Sequence, residues 1–223
     1  MDNKALELEC RRLEALQECR NVMGRYSQYN SQVRRVELIG LFSKRDDVMV
    51  EMPWGIYDGP EGLKHRYLDE QGDRGDPVGY KKFVGKTVSH EMDTEILEVA
   101  DDCMTARGCW ISPGCDTGYV NGKGEAMWCW SKFACDFIFE DGKWKLWHMR
   151  LYHMLRSNFN EKWTDCKFQN YPAYFKISPA DREATDPDVW EAGKPYPLDQ
   201  PEPPAPYSTF AEASNLFIRP KEA

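Results

Sequence analysis

A series of strand-like segments separated by short turns, from Val88 to Met154, constrains the fold more than any other feature. The segments are residues 88–99, 103–112, 116–120, 125–140 and 143–154, with ADD, NGKG and EDGK between them. Alternating apolar and polar residues are typical of strands with one buried face, and links rich in Asp, Asn and Gly join antiparallel neighbours. The pattern predicts a meander of four long, mostly antiparallel strands.

The residues before the meander predict three helices and an edge strand. Apolar residues recur every three or four positions over residues 3–26, so that Tyr26 ends the apolar face of a first helix. Ser31 can cap a second helix that reaches Phe42, residues 48–59 form a strand, and Pro60 begins a short third helix. Helices followed by a meander predict an α+β fold, with the helices packed on one face of a curved sheet.

The C-terminal third has a different composition. Ten of the fourteen prolines lie at or beyond Pro172, and proline lacks the backbone donor that helices and strands need. Aromatic residues remain throughout this part, from Tyr171 to Phe217. We therefore expect one domain over residues 1–156 and an ordered extension over residues 157–223, wrapped over the domain or a neighbouring subunit.

Charge and composition exclude several functional classes. A net charge of -8 argues against binding to nucleic acid or to an anionic membrane, which require basic surfaces. The N-terminus is charged and lacks a signal sequence, and no apolar run is long enough to span a membrane, so we expect a cytoplasmic protein. Eight tryptophans favour a pocket for a small hydrophobic or aromatic substrate, a well-filled core, or the interface of a homodimer or homotrimer.

The closing strand, WKLWHMRLYHM, carries two of the four histidines. Simple alternation places His148 and Arg150 on the face of Trp144, and His153 on the opposite face unless a bulge turns it toward the interior. The two histidines therefore do not share one metal, and no Cys-x-x-Cys pair is present, so we expect no metal. An inward Arg150 needs a partner, such as Asp136 or an anionic group of the substrate.

The order of these elements resembles the SnoaL-like branch of the NTF2-like superfamily. The resemblance is carried by a first helix ending in MGRY, by MVEMPWGIYDGPEGLKHRYL, by SHEMDTEILEVADDCMTARGCW and by DGKWKL, and it covers roughly Lys4 to Arg156. It implies a cone-shaped α+β barrel. The chain looks most like bile-acid dehydratases and scytalone dehydratase, although the fold also hosts isomerases, cyclases, oxygenase subunits and non-catalytic proteins.

The same resemblance implies where a site would lie. Tyr26 matches a catalytic tyrosine at the end of the first helix, and His90 matches a catalytic histidine on the strand after the third helix. Asn30 and Ser31 stand where those dehydratases have an aspartate, and Asp116 is the acid nearest to a second aspartate position. The cationic position of the last strand falls near His153, with Arg150 close by.

These considerations give two sets of candidate residues. The catalytic candidates are Tyr26, His90, Asp116 and Arg150. The candidates for contact with the substrate are Tyr29, Asn30, Trp54, Tyr57, Trp110, Trp130, His148 and His153. Trp128 and Trp130 share one strand face, so if they point outward they favour an oligomer interface over a substrate wall.

The resulting hypothesis is a lyase that needs no cofactor and uses general acid–base catalysis on a bulky hydroxylated aryl or steroid-type substrate. Loss of water is the first choice. A retro-aldol cleavage that releases formaldehyde from a lignin-derived aryl-propane diol needs similar groups and is the alternative. A non-catalytic binding or assembly module is the alternative from a different class.

Overall fold

The fold comes from a computed structural model that describes residues 2–69, 72–76, 85–120, 123–165, 180–185, 192–195 and 201–212. The predicted loop over DRGDPVG, residues 73–79, lies partly outside the described residues. None of the helices in these ranges combines the length and apolar character that crossing a membrane requires.

The first helix, α1 (Asn3–Ser31), lies across the sheet. The side chain of Asp2 accepts a hydrogen bond from the Ala5 amide at 2.8 Å and caps its start. The helix continues five residues beyond Tyr26, so the predicted end was too early. Ser31 does not cap the second helix but ends α1, where its hydroxyl donates to the Ser27 carbonyl at 3.0 Å.

The other helices are short. The start of α2 (Arg35–Ile39) is capped by Asp73, a residue far away in the sequence. One carboxylate oxygen of Asp73 accepts hydrogen bonds from the backbone amides of Arg35, at 2.6 Å, and Val36, at 3.1 Å. The third helix, α3 (Gly59–Lys64), begins with a proline in its first turn and continues as one π-helical turn over His65–Asp69.

Eight strands form one mixed sheet. They are β1 (Met49–Met52), β2 (Gly55–Asp58), β3 (Val88–His90), β4 (Asp93–Val99), β5 (Thr105–Ser112), β6 (Gly114–Val120), β7 (Lys123–Glu140) and β8 (Lys143–Asn158). Their order is β2-β1-β8-β7-β5-β4, while β6 continues beside β7 and β3 pairs with β6. Only β1 and β8 pair in parallel among these strands.

The predicted α+β class and the antiparallel meander are confirmed. The segment over residues 48–59 forms a hairpin rather than one strand, because Pro53 and Trp54 make a tight turn between β1 and β2. Within the described residues β2 and β4 are the outermost strands of the main sheet, so the sheet curves but does not close into a barrel.

Two bulges in β8 decide which side chains face the core. Trp147 and Met154 each lack a partner on β7 where the register shifts. An extra residue on one strand reverses the face of every residue after it. The inner face, toward α1, therefore carries Trp144 and Leu146 before the first bulge, and Met149, Leu151 and His153 after it.

The outer face of the sheet is covered in part by residues 201–212. The Tyr207 hydroxyl lies 3.1 Å from the Thr105 hydroxyl, and the Phe210 ring lies 4.6 Å from the Trp147 ring. Residues 180–185 lie against the hairpin, where Arg182 forms an antiparallel bridge with Ile56. These pieces of the extension contact their own chain. The course of the rest of residues 157–223 stays a prediction, since 166–179 and 213–223 lie outside the described residues.

Candidate active site

Two buried tyrosine side chains contact each other on the inner side of the sheet. Tyr26, on α1, is 3% exposed, and its hydroxyl lies 3.0 Å from that of Tyr67, on the π-helical turn. The rings of Phe42 and Phe133 pack edge-on against the Tyr26 ring, with ring centroids 6.3 and 6.0 Å apart. Burial raises the pKa of Tyr26, and the Tyr67 hydrogen bond and Arg66 only partly oppose this. Both groups are therefore neutral phenols near pH 7 that can donate a proton.

His90 lies on β3 beside the end of α1. Its backbone carbonyl accepts a hydrogen bond from the hydroxyl of Ser27, the residue after Tyr26. Its Nδ1 is buried and has no hydrogen-bond partner among the described residues. Desolvation lowers the pKa of His90, Asp116 opposes this shift and Arg156 adds to it. The imidazole is thus neutral near pH 7 and can accept a proton.

A glycine across the strand pair makes room for this imidazole. Gly114 is the register partner of His90, and a Cβ at that position would lie 2.5 Å from His90 Nδ1 and 2.6 Å from the Ser89 carbonyl oxygen. A side chain would therefore displace either the ring or the backbone of β3.

A carboxylate and an arginine lie on the same inner surface. The guanidinium of Arg156, on β8, lies 3.4 Å from Oδ2 of Asp116, on β6. The register pairs Asp116 with Met127 and Arg156 with Cys129, which share one face of β7. Arg156 reaches that face because the bulge at Met154 reverses the alternation. Oδ1 of Asp116 is buried and has no hydrogen-bond partner among the described residues.

His153 faces the interior as well, at 1% exposure, with the Trp54 ring 6.1 Å away. Burial lowers its pKa well below the ordinary value, and the nearby Arg156, His90 and Arg66 lower it further. A cavity of about 10 Å³ lies beside it between β1 and β8. That volume is close to the minimum that holds one water molecule.

Two further arginines, neither of them predicted, enter the same interior. Arg35 is 2% exposed and Arg66 is 7% exposed. The guanidinium of Arg66 lies over the rings of Trp54 at 5.1 Å and Tyr67 at 5.2 Å. We call Tyr26, Tyr67, His90, His153, Asp116, Arg35, Arg66 and Arg156 the inner polar cluster. As defined, the cluster combines two phenols, two imidazoles and three guanidinium groups with the carboxylate of Asp116.

Three predicted site residues lie outside this cluster. Arg150 follows the first bulge and therefore faces away from the inner face, where its Nε lies 3.4 Å from Glu51 Oε1. Asp136, its predicted partner, instead contacts Arg107 at 3.1 Å and His148 at 2.9 Å on the outer face. Trp130 also faces outward, with its ring 6.4 Å from that of Trp163. The predicted inward facing of Arg150 and His148 was wrong, because simple alternation ignored the bulge at Trp147. The alternation left the facing of Trp130 open, and its contact with a substrate stays a prediction.

The remaining candidates lie nearer the cluster or in the core. The indole of Trp54 donates to the Tyr57 hydroxyl at 3.1 Å, and Tyr57 is fully buried. Trp110 is 2% exposed and donates to Glu95 at 3.2 Å. Near the end of α1, the Tyr29 ring lies 4.8 Å from the Arg34 guanidinium, and the side-chain oxygen of Asn30 accepts a hydrogen bond from Arg35. Their contact with a substrate stays a prediction.

Four residues of the cluster were missed by sequence reasoning. Tyr67 had a signal in the sequence, since Leu63 and Tyr67 are four residues apart and share one face of a helix. Arg35 and Arg66 had none, because arginines near short helices usually lie in solvent. Arg156 lies beyond a bulge that no local pattern reveals. In the described part of the chain, no group of three His, Cys, Asp or Glu side chains is placed to hold a metal ion.

Comparison with known proteins identifies the fold family. Residues 11–150 match the SnoaL-like domain. The chain belongs to this family. The predicted resemblance is therefore confirmed, and with it the NTF2-like fold. None of the curated proteins matches the sequence significantly.

Several solved structures have the same fold at low sequence identity. LinA is 15% identical, with a TM-score of 0.54 over 70% of this chain and 96% of its own. A provisionally assigned scytalone dehydratase from Novosphingobium aromaticivorans is 14% identical, with a TM-score of 0.52 over 69% and 93%. A hexachlorocyclohexane dehydrochlorinase, LinA-type3 from Novosphingobium barchaimii, is 15% identical, with a TM-score of 0.51 over 69% and 96%. At these identities the likeness concerns the fold.

Proposed function

We propose that this protein is a cofactor-independent lyase that removes water from a bulky hydroxylated aryl or steroid-type substrate. The observation that carries the proposal is that the buried Tyr26 phenol and the buried Nδ1 of His90 lie on α1 and β3, two elements that the Ser27–His90 hydrogen bond joins. An elimination near pH 7 needs a base that is unprotonated and an acid that is protonated, both on rigid elements. His90 and Tyr26 meet these two requirements, and the Ser27 hydrogen bond ties their two elements together.

In this proposal His90 is the base. Its imidazole takes the proton from a carbon next to the one that carries the leaving hydroxyl, and the electrons of that C–H bond form the new double bond. The carboxylate of Asp116 raises the proton affinity of the imidazole, which otherwise suffers from desolvation, and so stabilises the imidazolium that forms. The guanidinium of Arg156, which reaches across β7 from β8, lies 3.4 Å from that carboxylate.

Tyr26 is the acid. As the C–O bond breaks, its phenol gives its proton to the departing hydroxyl, which leaves as water. The hydrogen bond with Tyr67 and the charges of Arg66 and Arg35 each lower the pKa of Tyr26, so they stabilise the phenolate. Transfer of a proton from the His90 imidazolium back to the Tyr26 phenolate then restores the starting state.

The names of the structural neighbours give this reaction class some support. Dehydratase and dehydrochlorinase both denote elimination of a small molecule, and proteins with these names share this fold. This is an analogy between folds, since unrelated functions also occur on one fold. It favours elimination over the retro-aldol release of formaldehyde, which the same acid and base also permit.

A non-catalytic binding or assembly module is the second candidate, and a specific observation favours it. Tyr26 is packed on several sides by aromatic rings, and its hydroxyl already has a partner in Tyr67. The cavity beside His153 is also far too small for an aryl substrate. In that case the inner polar cluster is a packed structural core rather than a catalytic site.

Turnover separates the two candidates. The purified protein is incubated with a panel of hydroxylated steroids and aryl-propane diols, and products are screened by mass for loss of water or of formaldehyde. For any compound that reacts, we expect His90→Gln and Tyr26→Phe each to lower kcat by roughly 100-fold or more, the usual contribution of a positioned acid or base.

The controls are His65→Gln and Tyr207→Phe, which make the same chemical changes outside the cluster. They should keep wild-type turnover. If no compound of the panel reacts, the lyase proposal loses its basis and the module is favoured. If the His90 and Tyr26 variants react at wild-type rates, the proposed acid and base are wrong.

A further inference from the structure

Residues 201–207, with the sequence PEPPAPY, lie on the outer face of the sheet and are buried at every third position. Pro201, Pro204 and Tyr207 are buried, whereas the four residues between them are exposed. Three residues is the period of the polyproline II helix, and four prolines in a segment of seven favour that conformation. We call this segment the strap. It presents one continuous side to the sheet.

The strap runs along β5. Near its start the Cys109 thiol donates to the Glu202 carbonyl at 3.7 Å. At its end the Tyr207 hydroxyl lies 3.1 Å from the Thr105 hydroxyl. The five steps from Glu202 to Tyr207 span about 15 Å in a polyproline II helix, and the facing four steps of β5 span about 14 Å. The strap is therefore extended along the strand and runs in the opposite direction.

Side chains, rather than an added strand, hold the strap on the sheet. β5 lies inside the sheet, between β7 and β4, and proline lacks the amide hydrogen that strand pairing needs. The ring of Tyr207 lies 5.6 Å from the guanidinium of Arg107. Arg107 is itself fixed by the buried carboxylate of Asp136, which lies 3.1 Å from its Nε. A cation and a hydroxyl thus favour a tyrosine at the last position of the strap.

This arrangement is that of a protein bound to a proline-rich peptide. Such peptides are recognised as preformed polyproline II helices, which lose little entropy when they bind. We propose that the outer face of the sheet along β5 is a binding site for peptides with the pattern P-x-x-P-x-x-Y, and that the strap is its intramolecular ligand. The site lies on the face opposite to the inner polar cluster, so the proposal does not depend on the lyase activity.

A ligand within the same chain controls access to such a site. The strap competes with any separate peptide, because its own binding is intramolecular and has a high effective concentration. A second protein with the same pattern therefore binds when the strap is released. The strap acts as an internal inhibitor of this interaction.

The binding test offers the strap as a separate peptide to the whole chain. The probe is fluorescein-labelled PEPPAPYSTF, and its binding is measured by fluorescence anisotropy. The proteins are the wild type and a triple variant, Pro201→Ala, Pro204→Ala and Tyr207→Ala, which lacks the buried side chains of the strap. We expect the triple variant to bind the peptide at least roughly tenfold more tightly, because the strap of the wild type competes. Equal affinities, or no binding to either protein, would overturn the proposal.

Two altered peptides test the three-residue period. Pro204→Ala in the peptide should weaken its binding to the triple variant by roughly tenfold, because a buried ring is lost. Pro203→Ala is the matched control, since it also removes one proline but at an exposed position, and it should leave the affinity unchanged. Equal losses from the two changes would contradict the proposal.

The hydroxyl contact locates the tyrosine. Tyr207→Phe in the peptide should weaken binding to the triple variant by roughly fivefold, the usual effect of one lost hydrogen bond. The same change should have no effect on a triple variant that also carries Thr105→Val, which has a similar shape but no hydroxyl. An equal loss with both proteins would overturn the proposed site.

A second measurement uses single substitutions in the whole chain and does not depend on the folding of the triple variant. Pro204→Ala should raise the rate of chymotrypsin cleavage after Tyr207 by roughly tenfold, because cleavage follows the released fraction of the strap. Pro203→Ala should keep the wild-type rate. Equal cleavage rates for the two variants would overturn the proposal.

Discussion

Acidification should destabilise this protein well above the pH at which carboxylates are protonated, and His153 should be the main cause. The side chain is 1% exposed, and burial lowers its pKa well below the ordinary value. In the unfolded chain the same imidazole binds a proton near pH 6.5. Below that pH the unfolded state holds more protons than the folded state, so the free energy of unfolding falls as the pH falls.

The size of the effect follows from the linkage relation. One histidine that stays neutral when folded lowers the free energy of unfolding by about 1.4 kcal/mol for each pH unit below its unfolded pKa. Between about pH 6.5 and about pH 5.0 the loss from His153 therefore approaches about 2 kcal/mol. His90, whose pKa is also lowered, acts in the same direction. A domain of ordinary stability, about 5–15 kcal/mol, would show such a loss clearly.

The pH range of the experiment must lie above the range in which the carboxylates titrate. Asp47 has its pKa lowered to about 2, mainly by its hydrogen bond with Arg45, so its contribution is lost only as the pH falls below the ordinary aspartate value near 3.9. Urea unfolding followed by tryptophan fluorescence between about pH 7.5 and about pH 5.0 thus isolates the histidines.

The decisive quantity is the slope of the unfolding free energy against pH, because a substitution in the core also changes the absolute stability. His153→Gln should remove about 1.4 kcal/mol per pH unit from the slope below about pH 6.5. His65→Gln is the matched control, since that side chain is 41% exposed and is solvated whether or not the chain is folded. Identical slopes for the wild type and His153→Gln would refute the reasoning.

Three further changes test contacts on both faces of the sheet. Gly114→Ala places a Cβ 2.5 Å from His90 Nδ1 and should cost about 1–3 kcal/mol in urea unfolding, whereas an unchanged midpoint would show that β3 can shift freely. Asp73→Ala removes the acceptor that caps α2 and should cost about 1 kcal/mol, which thermal unfolding can detect, with Asp76→Ala as control. Phe210→Ala removes the ring that packs against Trp147 and should cost about 1 kcal/mol while exposing residues 201–212 to limited proteolysis; resistance equal to that of the wild type would argue against this contact.

How far the sequence predicts the candidate site is best seen on β8. Period-two alternation correctly identified a strand, but it assigned faces on the assumption of an unbroken register. The bulge at Trp147 moved His148 and Arg150 to the outer face, and it brought His153 to the interior. A second bulge, at Met154, did the same for Arg156. Bulges depend on how two strands pair, so the residues of one strand do not reveal them.

The sequence by itself determined the α+β class, the antiparallel meander and the family, because local periodicity and turn residues are properties of short segments. It also pointed to Tyr26 and His90 through the resemblance. The tertiary structure alone decided which charged side chains join them. Arg35, Arg66, Tyr67 and Arg156 come from three separate elements, and their convergence depends on strand register, on two bulges and on a helix capped by a remote aspartate. These are relations between distant segments, and the free energy that fixes them comes from packing the whole chain.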